Sequence, residues 1–150
     1  MILSTGSGVR PLYVAEPPAQ YMTRPPVVVD CSALAGILFD EPWRKQAEER
    51  IHGCSLHAPF LLEIEITSVA LKKHKQGFGV SVADGLARYK ALNVALHQIE
   101  PADVLALALN YKLSAYDASY LWLAAELKAP LATFDEKLAT AAQVHLASLL

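Results

Sequence analysis

The architecture of this chain can be inferred from one stretch, Val27-Val28-Val29-Asp30-Cys31-Ser32-Ala33-Leu34. Its three consecutive valines form a short apolar run, which is typical of a strand buried on both faces of a parallel sheet. Asp30 ends that run where the backbone is expected to turn into a helix. Because ligands of open α/β sheets gather at the carboxyl ends of the strands, Asp30 is a candidate for chemistry.

The same construction recurs near the end of the chain. There Pro130-Leu131-Ala132-Thr133-Phe134 runs into Asp135. A carboxylate near a core is costly to hold without a partner. Two aspartates at strand ends therefore predict a shared acidic site.

Composition and charge restrict the class of protein. The chain has 150 residues, 53% of them hydrophobic, and a net charge of −2, which suits one domain with a real core. The charge excludes a generally basic nucleic-acid binder but leaves room for a local basic patch. Cys31 and Cys54 are too few for a disulfide framework, and no secretory signal or membrane-length apolar run is present. We expect reduced thiols, a cytoplasmic location and no membrane association.

Helical patterns separate the predicted strands, and no tight hairpin signal occurs between them. This order favours an α/β fold, a three-layer α/β/α sandwich with a central parallel sheet of about five strands. The predicted strands are 27–29, 56–58, 94–99, 131–134 and 144–147. The predicted helices are 33–39, 43–51, 60–76, 81–92, 101–112, 118–128 and 136–142.

Residues 1–26 contain five prolines and no sustained period. We predict that they form an extended or mobile leader outside the core, and that residues 27–150 form the domain. Translation could begin naturally at Met22.

Four acids lie at element ends or on a partly apolar helix face, where a solvated charge is not the default: Asp30, Glu65, Asp117 and Asp135. Glu63 lies close to Glu65, but successive helix residues rotate by about 100°. Glu65 therefore borders the apolar stripe of its helix, whereas Glu63 lies on a more polar face. We expect Glu65 to point into the fold and Glu63 to be a surface carboxylate.

Clustered carboxylates raise one another's pKa unless a cation lies among them. All-oxygen ligand sets suit Mg²⁺ or Mn²⁺, and such ions characteristically activate water for phosphodiester hydrolysis. Simple structural roles stay open for three of these acids, because Asp30, Asp117 and Asp135 could each cap a helix. Ser32 could bond a neighbouring carboxylate or only the helix backbone.

Other catalytic constellations have little support. The five histidines show no zinc-type pairing, and there is no GxSxG elbow or glycine-rich phosphate loop. Phosphatases that use a strand-end aspartate usually carry a second aspartate two residues later, where this chain has Ser32. A Mg²⁺-dependent phosphatase and a non-catalytic module that binds RNA or protein are the alternatives.

Four segments, taken together, resemble the PIN domain, and more narrowly the VapC-type toxins of bacterial toxin–antitoxin pairs. They are the stretch around Asp30, Ala58-Pro59-Phe60-Leu61-Leu62-Glu63-Ile64-Glu65-Ile66, Leu113-Ser114-Ala115-Tyr116-Asp117-Ala118-Ser119-Tyr120, and Leu131-Ala132-Thr133-Phe134-Asp135-Glu136-Lys137-Leu138. The resemblance covers residues 27–150.

The resemblance implies a Mg²⁺- or Mn²⁺-dependent endoribonuclease that leaves a 5′-phosphate and a 3′-hydroxyl. Asp30, Glu65, Asp117 and Asp135 match the family's metal-binding catalytic acids, and Ser32 and Thr133 match its supporting hydroxyl residues. It also implies a homodimer and a cognate antitoxin protein. Candidates for contacts with RNA phosphates are Lys72, Lys73, Lys75 and Arg44, although ordinary solvated side chains are the more common reason for such residues.

Overall fold

The computed structural model describes residues 10–17, 24–39 and 41–149. In chain order the elements are β1 (Tyr13–Ala15), β2 (Pro26–Val29), α1 (Cys31–Leu38), α2 (Arg44–Ile51), β3 (Ser55–Pro59), α3 (Leu61–Lys75), α4 (Gly79–Leu92), β4 (Ala95–His97), α5 (Pro101–Tyr111), α6 (Ala115–Leu127), β5 (Leu131–Thr133) and α7 (Glu136–Ala147). No helix in the described ranges combines the length and the apolarity that crossing a bilayer requires.

The strands form one sheet in the order β1-β5-β2-β3-β4. Strands β5, β2, β3 and β4 run parallel, whereas β1 pairs antiparallel with β5 at the edge. Helices α1 to α4 pack against one another, and α6 packs against both α5 and α7. Because parallel crossovers are right-handed, the connections from β2 to β4 cover one face and the return to β5 covers the other. The predicted three-layer α/β fold is confirmed, with a sheet that is mostly rather than wholly parallel.

The N-terminal part of the chain contributes to the core. Leu12 and Val14 are 0% and 4% exposed, and Tyr13 lies opposite Thr133 in the β1–β5 ladder. The prediction that residues 1–26 lie outside the core is therefore wrong for residues 12–15. Their burial depends on pairing with a distant strand, which the local proline-rich pattern does not reveal. Residues 1–9 and 18–23, including Met22, lie outside the described ranges.

The predicted strand at 144–147 is also wrong, because α7 continues without a break to Ala147. Leu138, Ala142 and Leu146 are buried at a spacing of four residues, the period of a helix face, while Val144 is 62% exposed. The apolar residues near the end of this long amphipathic helix alternate locally, and this alternation favours a strand when only four residues are considered.

Trp43 and Phe134 connect the α1–α2 region to the end of β5. Their rings meet edge to face with centroids 5.5 Å apart, and the missing side chain of Gly36 leaves room for the indole. The guanidinium of Arg10 lies over both rings and donates to the Phe134 carbonyl at 3.3 Å. This contact fixes the backbone immediately before Asp135.

If β1 belongs to the core, Leu12→Ala lowers the free energy of unfolding by about 2–5 kcal/mol, the usual cost of emptying a buried leucine site. Leu109, which is 72% exposed on α5, provides the matched control. Leu109→Ala changes the free energy of unfolding by less than about 0.5 kcal/mol. Urea denaturation of the three proteins measures both values, and equal stability of the two variants would contradict this placement of β1.

Candidate active site

Asp30 lies at the carboxyl end of β2 and caps α1. Its Oδ1 accepts from the backbone N–H of Ala33 at 2.9 Å and from the hydroxyl of Ser32 at 2.7 Å. Its Oδ2 accepts from the hydroxyl of Thr133. The residue is only 5% exposed, so these three donors hold a carboxylate that has little contact with water.

The two hydroxyls join the β2–α1 turn to the β5–α7 turn. Thr133 Oγ1, which donates to Asp30, accepts from the backbone N–H of Asp135 at 2.9 Å. Ser32 Oγ, which also donates to Asp30, accepts from the backbone N–H of Phe134 at 2.9 Å. Each hydroxyl therefore uses both its donor and its acceptor capacity across neighbouring parallel strands.

Asp135 caps α7 through the Leu138 N–H, which donates to its Oδ1 at 3.0 Å. The alternative that Asp30 and Asp135 cap helices is thus realised in the structure. For Asp30, capping uses one carboxylate oxygen and leaves the other for Thr133. Capping and a place in an acidic site are therefore compatible.

Glu65 lies on α3, and its charge raises the pKa of Cys31, the residue that follows Asp30. It is half-buried, and its Oε1 accepts from the hydroxyl of Tyr120 on α6 at 2.6 Å. Glu63 is exposed and its Oε2 accepts from Tyr89 at 3.1 Å on the outer side of α3. The prediction that Glu65, not Glu63, points into the fold is confirmed.

Asp117 lies in the first turn of α6 and is half-buried. The helix is capped by Ser114, whose hydroxyl accepts from the Asp117 N–H at 3.1 Å, so Asp117 is not the cap. Its carboxylate raises the pKa of both Asp30 and Glu65, and Asp135 in turn raises the pKa of Asp117. Asp117 is therefore close enough to interact electrostatically with all three other predicted acids.

Burial is the main reason why three of these acids hold protons more tightly than usual. It raises the pKa of Asp30 from 3.8 to about 6, against the opposing effect of its hydrogen bonds. Burial, followed by the charge of Asp135, raises the pKa of Asp117, and the charge of Lys137 partly offsets this increase. Burial raises the pKa of Glu65, although the Tyr120 hydrogen bond works against this.

The neighbouring thiol does not offer a competing nucleophile. Burial, followed by the charges of Glu65 and Asp30, raises the pKa of Cys31 to about 12. Because the thiolate is the reactive form of cysteine, Cys31 stays inert at neutral pH. The chemistry available here is that of carboxylates and hydroxyls.

The family profile described as PIN domain matches residues 27–144, which is most of the chain. The chain belongs to the PIN domain family.

Curated relatives of this PIN domain carry ribonuclease names. Ribonuclease VapC9 of Mycobacterium tuberculosis is 33% identical over 122 residues, covering 79% of this chain and 93% of the relative. Ribonuclease VapC3 of Pyrobaculum aerophilum is 31% identical over 120 residues, covering 75% and 92%. The crystal structure of PAE2754 from P. aerophilum shares the fold, with a TM-score of 0.61 at 21% identity, and covers 82% of this chain and 95% of its own.

The basic residues predicted to contact RNA differ in their surroundings in this PIN domain. Lys73 donates to Glu41 at 2.6 Å, and Arg44 donates to Glu48 at 2.8 Å. Lys72 and Lys75 are exposed on the same helix, α3, that carries Glu65. Lys72 and Lys75 are therefore the more accessible members of the predicted set.

Tyr120, Ser114 and Lys137 also belong to the site of this PIN domain, and sequence reasoning gave them no role. Tyr120 follows Asp117 by three residues on α6, so the two side chains share a helix face, a local signal that could have identified it. Ser114 precedes Asp117 by three residues, the spacing of a helix cap. No local signal indicates that Lys137 lies near Asp117, because the two are on different helices.

We predict that ionisation of Asp30 destabilises the metal-free protein. The folded state holds the Asp30 proton up to about pH 6, whereas the unfolded chain releases it near its ordinary value of 3.8. The folded state thus binds more protons in this window, and stability falls as pH rises from about 4 to 6. Between about pH 4 and 6, the free energy of unfolding of the wild-type protein falls by at most about 3 kcal/mol relative to that of Asp30→Asn. Urea denaturation at several pH values in EDTA measures the difference, and parallel profiles would contradict the prediction.

Thr133→Val keeps the shape of the side chain and removes its hydroxyl. Because the Thr133 hydrogen bond lowers the pKa of Asp30, the substitution raises that pKa above about 6, and it costs about 1–3 kcal/mol of stability. NMR titration of the Asp30 carboxyl carbon measures the pKa. Thr140→Val, on the exposed face of α7, is the control and leaves the pKa unchanged.

Proposed function

We propose that this PIN domain is a metal-dependent endoribonuclease that hydrolyses RNA phosphodiesters, the toxin of a toxin–antitoxin pair. The observation that carries the proposal is that Asp30 and Asp135 lie at the ends of the neighbouring strands β2 and β5, connected by the Thr133 hydroxyl. The charge of Asp117 on α6 acts on Asp30 and on Glu65 of α3, and the charge of Asp135 acts on Asp117. The ribonuclease names of relatives that align with most of this chain support the same chemistry.

The residues present fit a hard divalent cation. All four side chains offer carboxylate oxygens. The charge of Asp117 raises the pKa of Asp30 and of Glu65, and the charge of Asp135 raises the pKa of Asp117, an arrangement that a cation would relieve. Within the described ranges no three acidic, histidine or cysteine side chains stand close enough to hold an ion directly. Asp30, Glu65, Asp117 and Asp135 would hold Mg²⁺ or Mn²⁺ in part through water, as proteins commonly hold Mg²⁺.

A bound ion of this kind supplies an activated water nucleophile and neutralises charge on the phosphate. The protein's own groups provide orientation. Both oxygens of Asp30 are held by hydrogen bonds, and Tyr120 holds Glu65 Oε1. Asp117 and Asp135 complete the set from α6 and from the start of α7. Lys72 and Lys75 are proposed to contact RNA phosphates at the rim.

The partners follow from the same proposal. An RNA cleaved at this site would carry a 5′-phosphate and a 3′-hydroxyl, and a cognate antitoxin protein would silence the enzyme. We expect a homodimer acting in the cytoplasm. Leu121 and Leu123 are buried in the core and therefore do not contribute to a partner surface.

Incubation of the purified protein with a mixed RNA pool tests the activity. Cleavage is expected with Mg²⁺ or Mn²⁺ and is expected to stop in EDTA. The variants Asp30→Asn, Glu65→Gln, Asp117→Asn and Asp135→Asn each lose on the order of 100-fold or more in rate, because each removes a charge that holds the ion.

Glu63→Gln is the matched control, since it removes a carboxylate from the outer side of α3, and its cleavage rate stays close to that of the wild-type protein. Intact RNA under every condition, with the antitoxin removed, would overturn the ribonuclease proposal. Release of phosphate from small phosphomonoesters would instead favour a phosphatase. Calorimetry with Mn²⁺ that shows no binding would favour a non-catalytic module.

A further inference from the structure

An open groove lies between the end of α5 and one face of α7, the helix that Asp135 caps. Its volume is about 600 Å³, and it is lined by Tyr111, Glu136, Lys137, Thr140, Ala141 and Val144. This volume lies within the range of small-ligand sites. None of these residues is one of the four acids proposed to hold the ion.

The groove begins at the acidic site. Glu136 and Lys137 directly follow Asp135 in the chain, and the Lys137 ammonium lowers the pKa of Asp117. Lys137 is the cation among the described residues that line the groove, and Glu136 is the anion. An RNA chain that leaves the carboxylates in this direction would therefore meet the positive charge of Lys137 beside the negative charge of Glu136.

The wall of the groove contains an aromatic ring held in place. The hydroxyl of Tyr111 lies 3.1 Å from Nδ1 of His145, and the two rings meet edge to face with centroids 5.4 Å apart. His145 is on α7, so this contact holds the Tyr111 ring of α5 against the helix on the other side of the groove. A ring fixed in advance loses little freedom when a flat ligand stacks on it.

The rest of the lining suits a nucleotide. Ala141 and Val144 offer apolar surface on the same face of α7 as Lys137, and Thr140 adds a hydroxyl between them. The aromatic ring of Tyr111 suits a base, the ammonium of Lys137 suits a phosphate, and the hydroxyl of Thr140 suits a ribose. Because a base can stack on a side chain only when it is unpaired, the arrangement favours single-stranded RNA.

We propose that this groove binds one nucleotide of a single-stranded RNA next to the scissile phosphodiester, with its base on Tyr111 and its phosphate at Lys137. The inference rests on the proposed ribonuclease activity and assigns part of the substrate site. It makes Tyr111 and Lys137 binding residues that take no part in the chemical step.

Binding of a short fluorophore-labelled RNA to the full chain carrying Asp30→Asn, in Mg²⁺, tests the proposal without cleavage. Adding Tyr111→Leu weakens binding of the single strand roughly 5- to 100-fold, the usual loss for one stacked base, whereas Tyr111→Phe keeps the ring and stays within a few fold. Adding Lys137→Gln makes the plot of log affinity against log salt concentration less steep. The slope changes by somewhat less than one, the amount expected for one lost phosphate contact. Lys90→Gln, an exposed lysine at the end of α4, is the control and leaves the slope unchanged.

The same RNA annealed to its complement provides the second arm. Its affinity is expected to respond little to Tyr111→Leu, and an equal loss for duplex and single strand would overturn the stacking role. If Tyr111→Leu does not fold, the comparison of Lys137→Gln with Lys90→Gln decides, and equal salt slopes would overturn the proposal. Should the wild-type protein cleave RNA while both groove variants bind it unchanged, this inference alone fails. If the wild-type protein neither binds nor cleaves RNA, the proposed function fails with it.

Discussion

The structure depends on holding one buried carboxylate, that of Asp30, in a position where water can hardly reach it. Three donors compensate for the lost hydration, and two of them are hydroxyls that also accept backbone N–H groups from the β5–α7 turn. Because an unpaired group here would cost several kilocalories per mole, the two strand ends cannot shift independently. The acidic site and the centre of the fold are thus parts of one hydrogen-bonded unit.

The compensation is incomplete, and that is informative about function. At Asp30 the effect of burial outweighs that of the hydrogen bonds and raises the pKa to about 6. Burial also raises the pKa values of Glu65 and Asp117 above their ordinary values. A protein selected only for stability could place amides or apolar groups at these positions. Retaining acids with raised pKa values in one place is typical of sites that bind cations or perform proton transfer.

The features that the sequence predicted well are those with a local signature. Three valines followed by an aspartate identify a buried strand and the carboxylate at its end, and helix rotation alone separates Glu65 from Glu63. The features that it missed depend on contacts between distant segments. Strand β1 gains its hydrogen bonds from β5, Tyr120 reaches Glu65 across two helices, and Lys137 meets Asp117 only after folding. Residues 144–147 were mistaken for a strand because four residues are too few to distinguish a helical from a strand period.

Strand β1 has a further consequence for handling this protein. It occupies the outer side of β5, whose backbone N–H and C=O groups would otherwise form an open sheet edge. Open edges recruit strands from other molecules and promote aggregation. A shortened version that starts at the first buried valine would therefore expose the unpaired edge of β5 beside Asp135. Low solubility of such a version would reflect the absence of β1 from this edge rather than a defective core.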